Sequence, residues 1–460
     1  MITKKQIIAV LVGAAALAAF GLQAQRSTRK PNIVLILSDD VHYSGLSITG
    51  NRKVQTPNID SIFEQGVFFT DGYVTHAVCA PSRAGLMTGR YQARFGYETL
   101  TGGTKHAIEV DHGVDVREIF MSQLIKDAGY KTCAIGKWHL GVNDQYQPNN
   151  RGFDHFLGFR GACDYFVWDD PEKPMVRNFE PAKGSGYVTE AYTREAVQCI
   201  KENMDNPFLI YYAPSNVHSP YEVPKRYIPE GGDAYDGMLR ALDESVGGIL
   251  EQLEASGVAD STIVVFLNDN GGTKRHNNGP YRGGKSTYWE GGVRVPFGIK
   301  WPGVVKPGMR YGEMVSALDL LPTLVAAAGG KLPTDREYDG VDLKPFLTGK
   351  NTGSPHEQLF WRSGEFHAMR MGDFKLVWQR NLDASLKRDI KAGIRRSETD
   401  LPNYEDRGTK FYLAPTLFDL STDIGETKNL ADKYPDKVKE MIKGLDRYEA
   451  KAKEEQYGIE

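Results

Sequence analysis

The chain has 460 residues, of which 40% are hydrophobic and 25% are charged, as is ordinary for a globular protein. That length exceeds one small core and predicts one large domain with a smaller companion. The net charge of -3 gives no electrostatic basis for binding nucleic acid or an anionic membrane, so an anionic ligand would need a local basic pocket.

The N-terminal segment is typical of a secretory signal peptide. Lys4 and Lys5 precede an apolar run, Ile7–Leu22, and polar residues follow it. This run is short for a membrane span, which needs about 20 apolar residues, and an uncleaved N-terminal anchor is the alternative. We therefore expect residues 1–25 to be a signal peptide, the protein to be periplasmic or secreted, and no stable membrane association.

Short apolar runs alternate with helical patterns over residues 30–345. The first run, Asn32–Leu37, is rich in β-branched residues and predicts a buried strand of a parallel sheet. The alternation predicts an α/β fold in which helices sandwich a large, mixed but mainly parallel sheet. The further predicted strands are Thr132–Ile135, Phe208–Tyr212, Thr262–Leu267 and Val295–Ile299, and the predicted helices are residues 57–66, Val116–Ala128, Met238–Ala255 and Leu318–Ala328.

The pattern changes after about residue 345. A hairpin is predicted over Glu365–Gln379, with its turn at Gly372-Asp373, and Thr416–Asp419 predicts another short strand. A charged amphipathic helix is predicted over Val438–Lys451. We expect a smaller α+β domain, residues 355–460, built on a short antiparallel sheet, in which the charged segment Asp383–Arg407 forms a loop.

Four cysteines, Cys79, Cys133, Cys163 and Cys199, are too few in so long a chain for a disulfide framework. No disulfide is predicted.

Oxygen-bearing side chains directly follow two of the predicted strands. Asp39-Asp40 follows the first strand, and Asn268-Asp269-Asn270-Gly271 follows Leu267. Ligands of open α/β sheets bind beyond the carboxyl ends of strands, where adjacent carboxylates repel each other unless a cation neutralises them. Oxygen ligands suit Ca²⁺ or Mg²⁺. Alone, Asp39-Asp40 is equally compatible with a polar turn, and Asn268–Gly271 is better explained as a turn, but two such segments favour a metal site.

The segment from Cys79 to Arg90 contains a cysteine at a predicted helix start. Pro81 lies where the first helical turn accepts proline, so Cys79 would face the helix N-terminus. Free backbone N–H groups and the planar donors of Arg83 favour an anion there. The pattern predicts a thiol of lowered pKa in an anion site; a buried structural cysteine is the commoner alternative.

Basic residues follow other predicted strands. Lys137 and His139 come after Thr132–Ile135, and His218 comes after Phe208–Tyr212. Lys285 lies in a Gly-rich loop. A lone histidine is more often structural and a loop lysine is more often solvated, but two of each near the strand ends favour a basic pocket.

The Cys79 segment, Cys-x-Pro-Ser-Arg followed by Ala-Gly-Leu-Met-Thr-Gly-Arg, resembles the signature of the type I, formylglycine-dependent sulfatases, which have an alkaline-phosphatase-like fold. The resemblance spans nearly the whole chain after the expected signal peptide, and no catalytic position departs from it. Its other parts follow in order: Asp39-Asp40, Gly136–Gly141, Asn268–Gly271, Gly283–Lys285 with Trp289–Pro296, and Leu417–Leu420 with Glu426 and Asn429-Leu430.

The resemblance implies that a maturation enzyme oxidises Cys79 to formylglycine. One hydroxyl of the hydrated aldehyde would attack sulfur, and loss of the proton from the other would release sulfate. Arg83 and Lys137 would stabilise the formylglycine, and His139 would assist as a base. His218 and Lys285 would hold the sulfate and protonate the leaving oxygen. The implied ligands of a Ca²⁺ ion, with Mg²⁺ as the alternative, are Asp39, Asp40, Asp269, Asn270 and the modified Cys79.

The resemblance also implies a sulfated carbohydrate substrate. Gly152–Phe159 and Asp164–Phe166 resemble carbohydrate sulfatases related to arylsulfatase B. We expect removal of 4- or 6-O-sulfate from terminal galactose or N-acetylgalactosamine of host or algal glycans. Candidates for stacking on a sugar are Tyr165, Trp168 and Tyr288, each equally compatible with a core or rim position, and candidates for sugar hydroxyls are His106, Arg160, Asp164, Arg362 and His367.

Two other functions stay open at the sequence level. One is a phosphomonoesterase or phosphonate hydrolase of the same fold. The other is an unmodified, inactive protein that binds sulfated glycans.

Overall fold

A computed structural model of the protein describes residues 30–99, 109–161, 163–273, 275–364, 366–379 and 414–455. The predicted signal peptide, His106 and the charged segment 383–407 lie outside the described residues. Within them, the strands are β1 Asn32–Ser38, β2 Val67–Phe69, β3 Gly72–Tyr73, β4 Lys131–Lys137, β5 His155–Phe159, β6 Met175–Arg177, β7 Glu180–Pro181, β8 Phe208–Ala213, β9 Thr262–Asn268, β10 Phe297–Lys300, β11 Met309–Tyr311, β12 Val315–Ser316, β13 Gln358–Ser363, β14 Phe366–Met371, β15 Phe374–Gln379 and β16 Thr416–Asp419.

The α-helices of the described residues lie mainly between these strands. They are α1 Pro57–Glu64, α2 Cys79–Thr88, α3 Met121–Asp127, α4 Val188–Asn203, α5 Ala234–Ala255, α6 Glu290–Val293, α7 Leu320–Ala327, α8 Lys344–Leu347 and α9 Pro435–Glu455. No helix among the described residues combines the length and the apolar character that crossing a membrane requires.

The main sheet has the strand order β11-β2-β10-β9-β1-β8-β4-β5-β6-β7 among the described residues. Its five central strands, β9 through β5, run parallel. Alternate side chains of β1 enter two different cores: Ile33 and Leu35 pack on one face, and Val34 and Ile36 pack on the other. Both faces are therefore buried, which explains why the strand is continuously apolar and confirms the predicted α/β class.

Two predicted elements differ from the structure. Val295–Ile299 was expected as a strand like the parallel ones, but β10 begins at Phe297 and runs antiparallel to β9. The residues before it pair elsewhere, because Val295 N donates to Gly72 O and Arg294 bridges Tyr73. The helix predicted from Val116 begins only at Met121, where the Gln123 side chain accepts from the Phe120 backbone N–H.

The small sheet has the order β13-β14-β15-β16 and is antiparallel throughout. The predicted hairpin is confirmed: β14 and β15 turn at Gly372, whose φ of 56° suits glycine. Helix α9 covers this sheet through Met441 and Leu445, which pack on Met369 and Leu376. A small α+β layer therefore completes the fold, as predicted.

Candidate active site

The candidate site lies where four adjacent parallel strands end. Asp269 follows β9, Asp39 follows β1, and Lys137 is the last residue of β4. Main-chain hydrogen bonds continue past the strands: Asp269 N donates to Ser38 O at 3.0 Å, and Asp39 N donates to Asn216 O, beyond β8, at 2.9 Å. The segments that sequence patterns placed at strand ends therefore meet at one edge of the sheet.

Two site residues have strained backbones. Asp40 and His139 have φ values of 62° and 64°, in the left-handed region that non-glycine residues rarely adopt. Asn270 Nδ2 donates to Asp40 Oδ1 at 2.8 Å, and His139 N donates to Arg160 O at 3.0 Å. Such conformations persist only where surrounding contacts fix them, and they concentrate at functional sites.

Helix α2 delivers Cys79 to this edge. Cys79 is its first residue, Pro81 lies in the first turn as predicted, and every residue of the helix is buried. The Sγ atom lies 3.6 Å from Lys137 Nζ and within 4.8 Å of carboxylate oxygens of Asp39 and Asp269. The Cys79 thiol thus lies between the ammonium group of Lys137 and the carboxylates that follow the strands.

The expected lowering of the Cys79 pKa is wrong for the unmodified thiol. Burial raises the pKa of Cys79, and the nearby carboxylate of Asp39 adds to this against the opposing effect of Lys137. The position of Cys79 at the helix N-terminus therefore does not decide the pKa of its thiol, because the thiol is almost completely removed from water and faces anions.

Arg83 is fully buried and binds the two acidic strand ends together. Its Nε and Nη2 donate to Asp269 Oδ2 at 3.0 and 2.9 Å, and Nη2 also donates to Asp39 Oδ2 at 3.2 Å. Its Nη1 donates to Lys137 O at 2.7 Å. The guanidinium is thus occupied by the carboxylates and by the strand that carries Lys137, so it positions these groups.

Two lysines flank the acidic residues. Lys137 Nζ donates to Asp39 Oδ2 at 2.5 Å, and Lys285 Nζ donates to Asp40 at 2.7 Å. Burial opposes the charged form of Lys137, but Asp39 and Cys79 together overcome it and raise the lysine pKa. Burial likewise raises the pKa of Asp39 in part, but Lys137, His218 and Arg83 lower it overall. Both partners are therefore charged.

Three predicted metal ligands have buried oxygen atoms with no hydrogen-bond partner among the described residues: Asp39 Oδ1, Asp269 Oδ1 and Asn270 Oδ1. Buried acceptors are normally satisfied, so unmatched oxygens converging from two strand ends fit a hard cation. Burial and the charge of Asp39 also raise the pKa of Asp269 to about 6, which reflects the repulsion that a cation would relieve.

The two histidines differ in environment. His139 is partly exposed, but its Nδ1 is buried with no hydrogen-bond partner among the described residues, and desolvation together with Lys137 lowers its pKa. His218 is partly exposed and its Nδ1 donates to Ser219 O at 2.6 Å, so Nε2 is directed toward Asp40 Oδ2 at 3.8 Å. Burial opposes protonation of His218, but Asp39 and the hydrogen bond with Cys163 together overcome it and raise the pKa. One ring suits a base and the other a proton donor.

Some contacting residues had no sequence signal. The Cys163 thiol hydrogen-bonds His218 although the two are far apart in the chain. Tyr211 OH lies 3.5 Å from Arg83 Nη1, and Asn268 Nδ2 donates to Val41 O at 2.6 Å. Only Asn268 stood in a quoted motif, where it was not given a role.

The aromatic candidates for sugar stacking are buried in the described structure. Tyr165 OH donates to Ser215 O and His218 O, Trp168 Nε1 donates to Gly186 O, and Tyr288 OH contacts His76 Nε2 at 2.7 Å. The stacking interpretation is wrong for these three, and the core alternative is right. Four of the polar candidates form ion pairs: Asp164 with Lys173, Arg362 with Glu98, His367 with Glu449, and Arg160 with Asp144.

Fold and site together define an α/β protein with acidic and basic groups clustered at the carboxyl edge of its main sheet. The model of the family called Sulfatase matches residues 31–330, and the model described as the C-terminal region of aryl-sulfatase matches residues 354–458. The chain belongs to the sulfatase family, with its alkaline-phosphatase-like fold, and is a sulfuric ester hydrolase.

Individual relatives cover most of the chain. It is 31% identical to N-acetylgalactosamine-6-sulfatase of Mus musculus, over 91% of this chain and 86% of the relative. It is 32% identical to human arylsulfatase A, with the same coverage of 91% and 86%. Among solved structures, Ps i-CgsB in complex with k-i-k-neocarrahexaose superposes with a TM-score of 0.79 at 30% identity, covering 92% of this chain and 94% of that one.

Proposed function

We propose that this chain is an exported carbohydrate sulfatase that acts through a formylglycine made from Cys79. One observation carries the proposal: Cys79 lies at the start of a buried helix, 3.6 Å from Lys137 and within 4.8 Å of Asp39 and Asp269. Sulfate monoester hydrolysis needs a nucleophile, cations at the sulfuryl oxygens and a proton for the leaving oxygen, and the residues at this edge supply each of them.

The substrate we propose is a 4- or 6-O-sulfate on terminal galactose or N-acetylgalactosamine. A relative that matches most of the chain is called N-acetylgalactosamine-6-sulfatase, and a structural neighbour was solved with a carrageenan-type hexasaccharide. Sulfated host or algal glycans contain such units. Release from a chain end fits a reacting centre set deep at the sheet edge, where Cys79 is only 2% exposed.

A divalent cation, Ca²⁺ or Mg²⁺, is proposed at Asp39, Asp40, Asp269 and Asn270, together with the modified side chain of residue 79. It would supply electrostatic stabilisation of negative charge on the reacting groups. The three carboxylates are already paired with Arg83, Lys137 and Lys285. An added cation would therefore leave the centre net positive, which favours a sulfate group over a neutral ligand.

The remaining catalytic roles belong to side chains of the protein. Lys137 and Lys285 present ammonium groups to the sulfuryl oxygens, while Arg83 keeps the carboxylates in place. His139, whose pKa is lowered by burial, accepts a proton from the modified residue 79. His218, whose side chain is 27% exposed, delivers a proton to the leaving sugar oxygen together with Lys285.

Formylglycine in its hydrated form would supply a hydroxyl nucleophile and a second hydroxyl whose deprotonation expels sulfate. A maturation enzyme must install it before Cys79 is buried, because the helix that begins at this residue is enclosed on all sides.

The direct test is replacement of Cys79 by alanine. We expect loss of sulfate release from N-acetylgalactosamine 6-sulfate and galactose 6-sulfate, by at least about 10³-fold, with unchanged thermal unfolding. Mass analysis of the peptide containing residue 79 in the active protein should show the aldehyde. Full activity of a protein whose Cys79 is an unmodified thiol would refute the mechanism.

Parallel assays separate the rival functions. A phosphatase or phosphonate hydrolase would favour 4-nitrophenyl phosphate over the sulfated sugars. A glycan-binding protein would carry a free Cys79 thiol after expression with the maturation enzyme and release no sulfate. The proposal requires sulfate release from at least one of the two sugars.

A further inference from the structure

We propose that the pocket formed by Val142, Phe159, Arg160 and Phe179 is a second saccharide subsite that binds the sugar unit next to the one that loses sulfate, through an anionic substituent on that neighbouring unit. This inference rests on the proposed function and specifies its substrate as an oligosaccharide with more than one anionic group.

The pocket lies beside the strand end that carries Lys137. Phe159 of β5 pairs in register with Lys137 of β4, and adjacent strands lie about 5 Å apart. Trp138 N donates to Phe159 O at 2.9 Å, and His139 N donates to Arg160 O at 3.0 Å. The inner wall of the pocket is thus hydrogen-bonded to the segment that carries Lys137 and His139.

The size and lining of the pocket suit a sugar ring. Its volume is about 270 Å³, enough for one monosaccharide unit, within the range of small-ligand sites. The ring of Phe179 is 47% exposed, and Pro171, Pro174 and Pro181 lie around it. Exposed aromatic and proline rings present flat apolar surface to the C–H face of a sugar.

Arg160 gives the pocket its preference for an anion. Its Nη1 donates to Val142 O at 3.3 Å, but its buried Nε has no hydrogen-bond partner among the described residues. The nearest carboxylate, Asp144, lies 3.6 Å away and is 81% exposed, so solvent weakens that pair. Burial lowers the pKa of Arg160, and Asp144 offsets this only in part. A sulfate or carboxylate in the pocket would supply a charged acceptor for this guanidinium.

The other charged lining residues do not compete for this role. Lys173 Nζ is bound to Asp164 Oδ2 at 3.1 Å, and Glu172 is exposed at the rim. Within the part of the chain that the structure describes, Arg160 is the cation of the pocket whose only ion pair is with an exposed carboxylate. A neutral sugar would give this guanidinium no charged acceptor, which is why we infer an anionic neighbouring unit.

The experiment compares Arg160→Ala and Phe179→Ala with the parent enzyme and with Arg177→Ala. Arg177 is a matched control because it lies on the adjacent strand β6, pairs with Glu195 and does not line the pocket. Sulfate release is measured on N-acetylgalactosamine 6-sulfate, galactose 6-sulfate and tetrasaccharides of chondroitin 6-sulfate and ι-carrageenan. We expect the parent and Arg177→Ala to have a higher kcat/KM on one of the tetrasaccharides than on its monosaccharide. In Arg160→Ala, this ratio should fall at least tenfold through a higher KM for the tetrasaccharide.

Binding measurements distinguish the saccharide subsite from the proposed sulfatase activity. Calorimetry with Cys79→Ala protein measures tetrasaccharide affinity without turnover, and adding Arg160→Ala should weaken it at least tenfold. If no sulfate is released but this loss is seen, the subsite stands and the proposed activity fails. If sulfate is released and Arg160→Ala resembles Arg177→Ala, or if neither tetrasaccharide is preferred over its monosaccharide, the subsite is wrong.

Discussion

Arg83 shows how single residues hold this site together. It is 0% exposed and is shared between Asp39 and Asp269, whose own side chains are also 0% exposed. A buried charge is tolerated only where its partners offset the free-energy cost of removing it from water, so these side chains depend on one another. Lys137 extends the set to Cys79.

Replacing Arg83 by methionine should therefore destabilise the protein strongly. The change leaves Asp39 and Asp269 without their shared donor, and breaking a buried pair costs about 3–5 kcal/mol. Chemical unfolding monitored by fluorescence measures the effect. Arg240→Met is the matched control: Arg240 pairs with Glu244 on the exposed face of α5, and its loss should cost no more than about 0.5 kcal/mol. Equal losses for the two variants would contradict a buried network.

Metal removal gives a second prediction for these residues. The unmatched oxygens of Asp39, Asp269 and Asn270 should bind Ca²⁺ or Mg²⁺ in the native state only. At about 100 times the Kd, such binding adds about 2.7 kcal/mol of stability. A chelator should lower both the melting temperature and sulfate release, and added cation should restore both. In Asn270→Ala, the chelator should lower the melting temperature less; an unchanged chelator response in that variant would argue against this ligand set.

The sequence was enough to predict which residues directly after the strands would lie at the site. It did not predict contacts between residues on separate loops. Asp39, Asp269 and Lys137 could be placed because parallel strands end at one edge. Cys163 could not be placed beside His218, because no pattern in the chain encodes a contact between two loops. The pKa of Cys79 was mistaken for the same reason: its burial depends on the tertiary enclosure of the helix.

At the scale of elements, the site depends on how closely β4 approaches β8. Gly136 precedes Lys137, has a φ of 111°, and a Cβ atom there would lie 2.1 Å from Ala213 O. The backbone that presents Lys137 and His139 thus requires glycine, both for its conformation and for the space between the strands.

Gly136→Ala should move the end of β4 and weaken catalysis. A displacement of about 1 Å at catalytic groups can cost about 10²-fold in rate. Gly129→Ala is the control, since Gly129 also has a positive φ, of 89°, but has nothing within 4 Å of a Cβ atom. We expect the Gly136 variant to lose sulfate release well beyond the loss from the Gly129 variant, at equal fractions of folded protein. Similar kinetics for both variants would mean that only backbone strain matters.

Sequence patterns located the buried parallel strands well, since continuous apolar runs require burial on both faces. They did not reveal the direction of β10, because an antiparallel strand inside a sheet covered on both sides has the same composition. They also extended α3 too far toward Val116, which is 55% exposed and not part of the helix. Tertiary pairing with β9 decided the direction of β10, and the cap formed by Gln123 on the Phe120 backbone N–H marks where α3 begins.

At the scale of the whole molecule, buried charges join the small sheet to the large one. Lys375 of β15 donates to Glu290 of α6 at 2.6 Å, and Glu426 accepts from Glu290 N at 2.7 Å. Arg282, three residues before Lys285, donates to Glu426 O at 2.8 Å. The C-terminal layer therefore holds the glycine-rich loop that carries a proposed catalytic lysine.

This junction should make stability depend on pH through Glu426. Burial, together with the charge of Glu290, raises the pKa of Glu426 to about 8 against the opposing effect of Lys375. For Glu290, by contrast, Lys375, Arg294 and Arg370 overcome burial and lower the pKa to about 2. The folded protein therefore binds a proton on Glu426 that the unfolded chain has lost above its ordinary pKa of 4.5. The contribution of Glu426 is fully present below pH 4.5 and is lost as pH rises through 8.

Glu426→Gln imitates the protonated form and should be tolerated. Between pH 5 and 8.5, its melting temperature should fall less than that of the parent, so that the variant gains relative stability as the pH rises. Glu290→Gln should instead be destabilised at every pH in this range, because it removes a charge that stays ionised and binds Lys375 and Arg294. Differential scanning calorimetry across the range measures both. A constant offset between Glu426→Gln and the parent would show that Glu426 does not carry the proton.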